Sequence, residues 1–574
     1  MSKDKDVLTG LDVSAEVKQG ERLKTSEPLY PILKVEELGG KDKLGDLRGK
    51  LAHSEVKYLR PEEKVVHIHH HEIQWPARKV TALEVCMKAA RARHMHEIGI
   101  NGPTVASVNI AENSTKKSRY ETQHGRDDLQ VARDLYPMAP ALLETTVISL
   151  AESQGVEDEN YIKGQPYRQE KVGSIILVNR EPEDIIGQKF TDKLGWGFPY
   201  YGSVDAPASF INAISVLQQK DPAYLLRKTY RPRDRGGASE TLSLAFERSV
   251  QWLMDNANEH DGLVAYRNEI KGGGIRNQGW RDSATAMIHK NGEWASDEFG
   301  IAPIEVQGLA FDAYRNAAKI YRDLYKDYQK SNQLDEMAWD LQKKVVTEGY
   351  IGTDAQGFFA SGFDWGPSGS LRQIGTKTSA MGRLLGSGLL KSDNPDLKEM
   401  VNKTILSLLS PDMLTRWGLR TLSSEEQIYI PFAYHDGIWA YDTNENAKGA
   451  SNHGFYGVDR IFGAMTSNQH KATGVFLEHG SGDDTENIAV PDKDVYVYSE
   501  LYDELYLYMQ APPPGQTWTA STEVAKEYRY KNIPLHATDP KKFAIEKQGW
   551  QQMPEYQKAV VAEFEPKLAI ALSA

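Results

Sequence analysis

Asp282 lies in the stretch Asn277-Gln278-Gly279-Trp280-Arg281-Asp282-Ser283, shortly after Gly272-Gly273-Gly274. A glycine run lets the backbone turn sharply or approach another group closely. Trp280 offers an apolar wall, and a carboxyl against such a wall has its pKa raised. A carboxyl still protonated near neutral pH is a general acid. Side chains at neighbouring extended positions point opposite ways, so Arg281 need not oppose that effect. The competing expectation is a surface loop whose Asp or Ser caps a helix, since Ala284, Thr285, Ala286 and Met287 could begin one.

Other stretches also carry chemistry. Arg126-Asp127 follows Gly125 and precedes a Leu- and Ala-rich helical stretch ending near Gly155. A guanidinium fork beside a carboxylate donates and accepts at once, but the pair could equally be a salt bridge at a helix start. Asp205 opens another helix and could cap it. His67-Ile68-His69-His70-His71-Glu72 invites a metal reading, because His67, His69 and His71 would share one face of a strand. A polar strand edge is the preferred expectation, and the zinc-protease spacing His-Glu-x-x-His is absent. Late in the chain, Ser423-Ser424-Glu425-Glu426 and Glu478 are candidate bases. Glu478 follows the apolar Val475, Phe476 and Leu477, and it precedes Gly480-Ser481-Gly482, where water could enter.

Helices must position these groups. Periodic apolar residues predict helices over Thr81–Ile98, Thr241–Ala257 (with Leu242, Leu244, Phe246, Val250, Leu253 and Met254 on the apolar face), Ile304–Lys330, Asp335–Thr347 and Asp396–Leu409. Gly362–Gly366 reads as a strand or loop. Helices recur roughly every 35 to 40 residues, the spacing of paired helices around a ring. The 574 residues suit one large domain, expected over 76–530, flanked by an N-terminal extension (1–75) and a C-terminal extension (531–574) packed on it.

The net charge of −12 leaves no basic footprint for nucleic acid or an anionic membrane. A mean hydropathy of −0.54 and the absence of an apolar run long enough for a bilayer predict a soluble, cytoplasmic protein without a signal peptide. Cys86 is the only cysteine, which excludes an intramolecular disulfide and a zinc-cysteine site. No metal and no cofactor are expected.

The segment Asn277–Ser283, then Pro303-Ile304-Glu305-Val306-Gln307-Gly308, then Trp417–Glu426, resembles the amylo-α-1,6-glucosidase (glycogen debranching enzyme C-terminal) family. Tyr200-Tyr201-Gly202-Ser203-Val204-Asp205 and Tyr434-His435-Asp436-Gly437-Ile438-Trp439 extend the resemblance, which runs from about Tyr120 to about Glu523. At the last of these the chain departs from the family's pattern by one missing residue and by Ala440-Tyr441 in place of Pro-His. The resemblance implies an all-α dominated fold, an (α/α)6 toroidal barrel with a small N-terminal extension of mixed structure. It implies Asp282 as general acid and a late-loop base, for which Glu478 is favoured over Glu425 and Glu426. It implies sugar contacts from Arg126, Asp127, Asp205, Trp280, Glu305, Gln307, His435 and Trp439.

The expected activity is that of an inverting glycoside hydrolase releasing glucose from α-glucosides or α-1,6-linked oligosaccharides. Its partner would be an oligosaccharide or small glycoside, with oligomeric state left open. The rivals are another glycosidase of the same fold, mannosidase- or trehalase-like, a non-catalytic glycan-binding barrel, and a metal-dependent protein using His67–His71.

Overall fold

The computed structural model describes residues 65–68, 71–74, 125–136, 140–155, 160–162, 165–167, 202–232, 238–267, 276–283, 286–353, 356–431, 433–473, 479–486 and 533–574. The expected helix over Thr81–Ile98 falls outside them, as does Glu478. No helix among the described residues is long and apolar enough to cross a membrane.

The N-terminal part contributes a hairpin, β1 (Val65–Ile68) and β2 (His71–Gln74), paired antiparallel with Ile68 opposite His71. His67 and His71 therefore belong to two strands, not to one face of a single strand. His69 lies outside the described residues. No group of His, Cys, Asp and Glu that could hold a metal ion occurs among the described residues.

The helices follow in order. The first stretch divides into α1 (Gly125–Leu135) and α2 (Pro140–Glu152), with Pro137 and Pro140 standing between and at the start of the second. Then come α3 (Ala206–Lys220), the short α4 (Tyr224–Arg227) and α5 (Leu242–Glu259). Five of the six apolar positions expected on α5 are buried, while Leu244 is exposed. Strand β3 (Ile301–Pro303) leads directly into α6 (Ile304–Ile320).

The long helix expected to Lys330 is interrupted. A π turn over Tyr321–Tyr325 ends at Lys326 in the left-handed region, and Asp327 then caps α7 (Tyr328–Gly349) by accepting the Lys330 N–H at 2.9 Å. Strands β4 (Gly362–Trp365) and β5 (Leu371–Ile374) join β3 in a three-stranded sheet of order β5-β4-β3. The remaining helices are α8 (Ala380–Leu385), α9 (Pro395–Leu408, capped by Asn394), α10 (Ala440–Asn452), α11 (Tyr456–Thr473), α12 (Pro540–Gln552), α13 (Glu555–Phe564) and α14 (Pro566–Ser573).

The helices pack in a series. α1 lies against α3, α3 against α6, α6 against α8, and α8 against α10, while α5, α7 and α11 back individual members. Small residues set the closest approaches. A Cβ on Gly449 of α10 would collide with the Gly382 carbonyl of α8, and Gly308 of α6 sits against Leu384 and Ser387. α6 is buried almost all round, as a helix surrounded by others must be. The C-terminal helices pack on this body: α12 on α9 and α13 on α11, with the buried Gln557 amide donating to the Leu414 carbonyl at 2.8 Å.

Candidate active site

The packing series brings helix N-termini to one place. Arg126 stands in the first turn of α1, Asp205 is the residue before α3, Glu305 lies in the first turn of α6, and Tyr441 and Asp442 lie in the first turn of α10. Each N-terminus carries unpaired N–H groups and a partial positive charge, which favours carboxylates there.

The loop Asn277–Ser283 is threaded among them by its amides. Asn277 accepts from the Tyr266 hydroxyl at 2.8 Å and donates across the loop to the Ser283 carbonyl at 2.6 Å. The Gln278 carbonyl accepts the Val204 N–H at 3.0 Å, which fastens the loop beside Asp205. At Gly279 a Cβ would stand 3.3 Å from Glu305 Oε1, so the glycine admits the carboxyl of α6. No helix starts at Ser283: residues 286 and 287 are bends and Ile288 forms a bridge to Trp294. The helix-cap expectation for Asp282 and Ser283 is thereby set aside.

Asp282 is the open group of this set, with its side chain 27% exposed, whereas those of Asp205, His435, Arg281 and Asp436 are 3% or less. Arg126 reaches both carboxylates: Nη1 is 3.2 Å from Asp205 Oδ2 and Nη2 is 3.6 Å from Asp282 Oδ2. His435 Nε2 stands 3.9 Å from Asp282 Oδ1. Arg281 is directed elsewhere, donating to the His435 carbonyl at 2.8 Å. Asp205, expected as a helix cap, makes no side-chain cap bond; its oxygens accept from Arg126 and Ser203.

Trp280 is buried. Its ring meets His435 (5.3 Å), Trp439 (5.6 Å) and Tyr441 (5.9 Å), and the Arg383 guanidinium lies 4.8 Å from its centroid. Trp439 is also buried and donates its indole N–H to the Tyr434 carbonyl at 2.7 Å. The two indoles are thus wall rather than open stacking faces.

Gln307, expected as a sugar ligand, is fully buried and its amide is spent on backbone. Oε1 accepts the Val264 N–H at 2.9 Å, and Nε2 donates to the Val264 and Pro303 carbonyls at 2.8 and 2.9 Å. That is a structural role: both amide protons are spent on backbone and the carbonyl is buried out of a hydroxyl's reach. Asp127 lies in the first turn of α1 beside Arg126.

Glu426 accepts the Lys377 N–H at 2.8 Å, and Glu425 is exposed. The chain after Glu478 is well held: Gly480 exchanges two backbone bonds of 2.9 Å with Ile438, and the His479 ring packs 5.6 Å from Tyr434.

Several members of the site were not anticipated. Arg383 donates to the Tyr441 hydroxyl at 2.9 Å and pairs with the buried Asp442 at 3.4 Å. A single arginine inside the apolar Ala-Met-Gly-Arg-Leu-Leu helix is the signal that could have found it. With Asp436 beside Arg281, three arginines (126, 281, 383) meet five carboxyls (205, 282, 305, 436, 442) among the described residues. Carboxyls in excess of cations favour a retained proton. Burial pushes the Glu305 carboxyl up to about 7, Asp205 adds to the rise, and Arg383 and Arg281 oppose it. Burial also raises Asp442 against the pull of Arg383.

Glu305 titrates near neutrality in the folded chain and near 4.5 otherwise. Its contribution to stability is complete below about 4.5 and is lost as pH rises through about 7. Glu305→Gln removes that loss. Relative to the parent, the variant therefore gains on the order of 3 kcal/mol between pH 5 and pH 8. Denaturant unfolding at the two pH values measures this; a constant difference between variant and parent would refute the buried, proton-holding role.

No family model matches the chain, and no curated protein matches it. Among solved structures, it is similar to a GH63 mannosylglycerate hydrolase from Thermus thermophilus in complex with Tris, at 13% identity and a TM-score of 0.45, over 72% of this chain and 99% of that one. It is also similar to a bacterial glucoamylase complexed with acarbose, at 14% identity and a TM-score of 0.42, over 78% of this chain and 57% of that one. Both likenesses are partial.

Proposed function

We propose that the protein is an inverting glycoside hydrolase that releases glucose from α-glucosides or α-1,6-linked oligosaccharides. The observation that carries the reading is Asp282: one solvent-reachable carboxyl set in a wall of buried arginines, carboxyls and aromatic rings. Such a group can meet a substrate while its surroundings stay dry, which strengthens every charge interaction with it. The gathering of the N-termini of α1, α3, α6 and α10 around it supports the inner ring of an (α/α)6 barrel.

In this reading Asp282 protonates the glycosidic oxygen as the bond to the anomeric carbon breaks. Arg126, 3.6 Å away, stabilises the carboxylate left behind. A second carboxylate takes a proton from water attacking the opposite face, a mechanism that calls for two carboxyls about 6.5–9.5 Å apart to admit that water. Glu478 is the proposed base. It directly precedes the segment bridged to Ile438, three residues beyond His435. Glu426 is occupied by Lys377, and Glu425 faces solvent, which weighs against both.

A panel of aryl glycosides and oligosaccharides, with NMR of the first-released sugar, tests the reading. The expected product of an α-glucoside is β-glucose; release of the α-anomer would exclude single displacement. Glu478→Ala should abolish turnover even of glycosyl fluorides, by about 10³-fold or more, while Glu426→Ala stays within about threefold of the parent. Near-normal turnover by Glu478→Ala would move the base elsewhere.

A further inference from the structure

Asp282 is flanked in sequence by Arg281 and Ser283, and both neighbours are bonded to one residue 152 to 154 positions away. Arg281 Nη2 donates to the His435 carbonyl at 2.8 Å, and the Ser283 backbone N–H donates to His435 Nδ1 at 3.1 Å. The third atom of interest on this residue, Nε2, stands 3.9 Å from Asp282 Oδ1. We propose that His435 is a positioning residue for Asp282, locked in the tautomer whose Nε2–H faces the Asp282 carboxyl and orients it towards the leaving-group oxygen. The inference rests on the general-acid reading of Asp282 given above.

The tautomer follows from hydrogen-bond accounting. A neutral imidazole has one donor and one acceptor nitrogen. Nδ1 faces an N–H, so it accepts, and the ring proton belongs to Nε2. The ring cannot turn to exchange its nitrogens without losing the Ser283 bond. It is also clamped: it stacks on Trp439 with 5.3 Å between centroids and 6° between planes, and it meets Trp280 and Tyr434 edgewise at 5.3 and 4.8 Å.

Charge supports the same assignment. The groups facing the ring are Arg281, Arg126 and His479 on one side of the balance and Asp282 on the other. Burial, then Arg281, His479 and Arg126, hold His435 well below its ordinary range, so the ring stays neutral. A neutral donor orients the carboxyl without adding a cation that would hold it ionised before proton transfer. Once the proton has left, the N–H stabilises the new carboxylate, so its effect is largest in the transition state. A separation of 3.9 Å is long for a hydrogen bond, and such contacts tighten when substrate fills the site. The ring is 2% exposed and its Nδ1 is taken by the Ser283 N–H, so Nε2 is the one ring nitrogen that can serve Asp282.

Two variants of the full chain separate the possibilities. In His435→Gln the amide N–H falls where Nε2–H is; in His435→Asn the carbonyl falls where Nδ1 is. The expected result is kcat within about 10-fold of the parent for His435→Gln. For His435→Asn we expect about a 10²-fold loss of kcat on an unactivated disaccharide, a smaller loss on a glycosyl fluoride, and a nearly unchanged KM. The reverse order, with His435→Asn active and His435→Gln inactive, would mean that only the Ser283 bond matters. A raised KM with kcat intact would mean a sugar ligand. Either result overturns the proposal. If the parent turns over no glycoside, the hydrolase reading fails, and crystal structures of both variants still decide the positioning claim. The Asp282 carboxyl should keep its direction in His435→Gln and turn in His435→Asn; an unmoved carboxyl in both overturns it. Should neither variant fold, the ¹⁵N shifts of the histidine rings in the parent report the tautomer, and a proton on Nδ1 of His435 refutes the lock.

Discussion

Asp282→Asn lowers turnover of an unactivated α-glucoside by about 10³-fold or more, and of a glycosyl fluoride by far less. The asymmetry is the informative part. A sugar alcohol departs as an alkoxide unless it is protonated, whereas fluoride leaves without help, so only the first substrate needs the acid. Asparagine keeps the size of the side chain and can still face Arg126 and His435, so the fold has no reason to change. The carboxyl is partly exposed, and removing its charge strands little: Arg126 retains Asp205 at 3.2 Å. Matched unfolding curves with unequal losses on the two substrates would establish the acid role. Equal losses on both would assign Asp282 to binding or to activation of water instead.

Gly437→Ala costs about 2–4 kcal/mol of stability. A Cβ at this position would collide with the Gly480 carbonyl and stand 2.8 Å from His479 Nε2. The first of these is backbone and cannot rotate away. Around the glycine, Ile438 and Gly480 exchange two bonds of 2.9 Å, the Thr421 N–H donates to the Gly437 carbonyl at 2.8 Å, and the Gly482 N–H donates to the Pro431 carbonyl at 2.8 Å. Alanine must therefore open the contact between the segment before α10 and the segment that follows Glu478. Because His435 lies on the first segment and the proposed base directly precedes the second in sequence, turnover should fall with stability. Urea unfolding of the parent and the variant checks this, and a loss below about 0.5 kcal/mol would show that the two segments yield freely.

Local pattern was enough to place much of the chain. The apolar spacing of Leu242–Glu259 and Pro395–Leu408 marks amphipathic helices, because burial of one face leaves a period that survives in any context. The position of Glu305 in a first helical turn was legible for the same kind of reason, as was the loop character of Asn277–Ser283. Where two local signals competed, the sequence did not choose well. Ile304–Lys330 reads as one helix, yet Lys326 turns left-handed and Asp327 starts another. The His67–His71 run reads as one strand, yet it spans a hairpin whose paired register separates His67 from His71.

The duties of the polar side chains were decided only by the tertiary structure. Gln307 and Glu426 look like free ligands in a motif, but each is consumed by a backbone group that local sequence does not reveal: Val264 is 43 residues from Gln307, and Lys377 is 49 from Glu426. Arg126 looks like one half of an Arg-Asp pair with Asp127, but its guanidinium bridges Asp205 and Asp282, the first of them 79 residues away. Periodicity records which face of an element is apolar. It carries no record of which helix ends converge, and a charged group's partner, burial and protonation depend on that convergence alone.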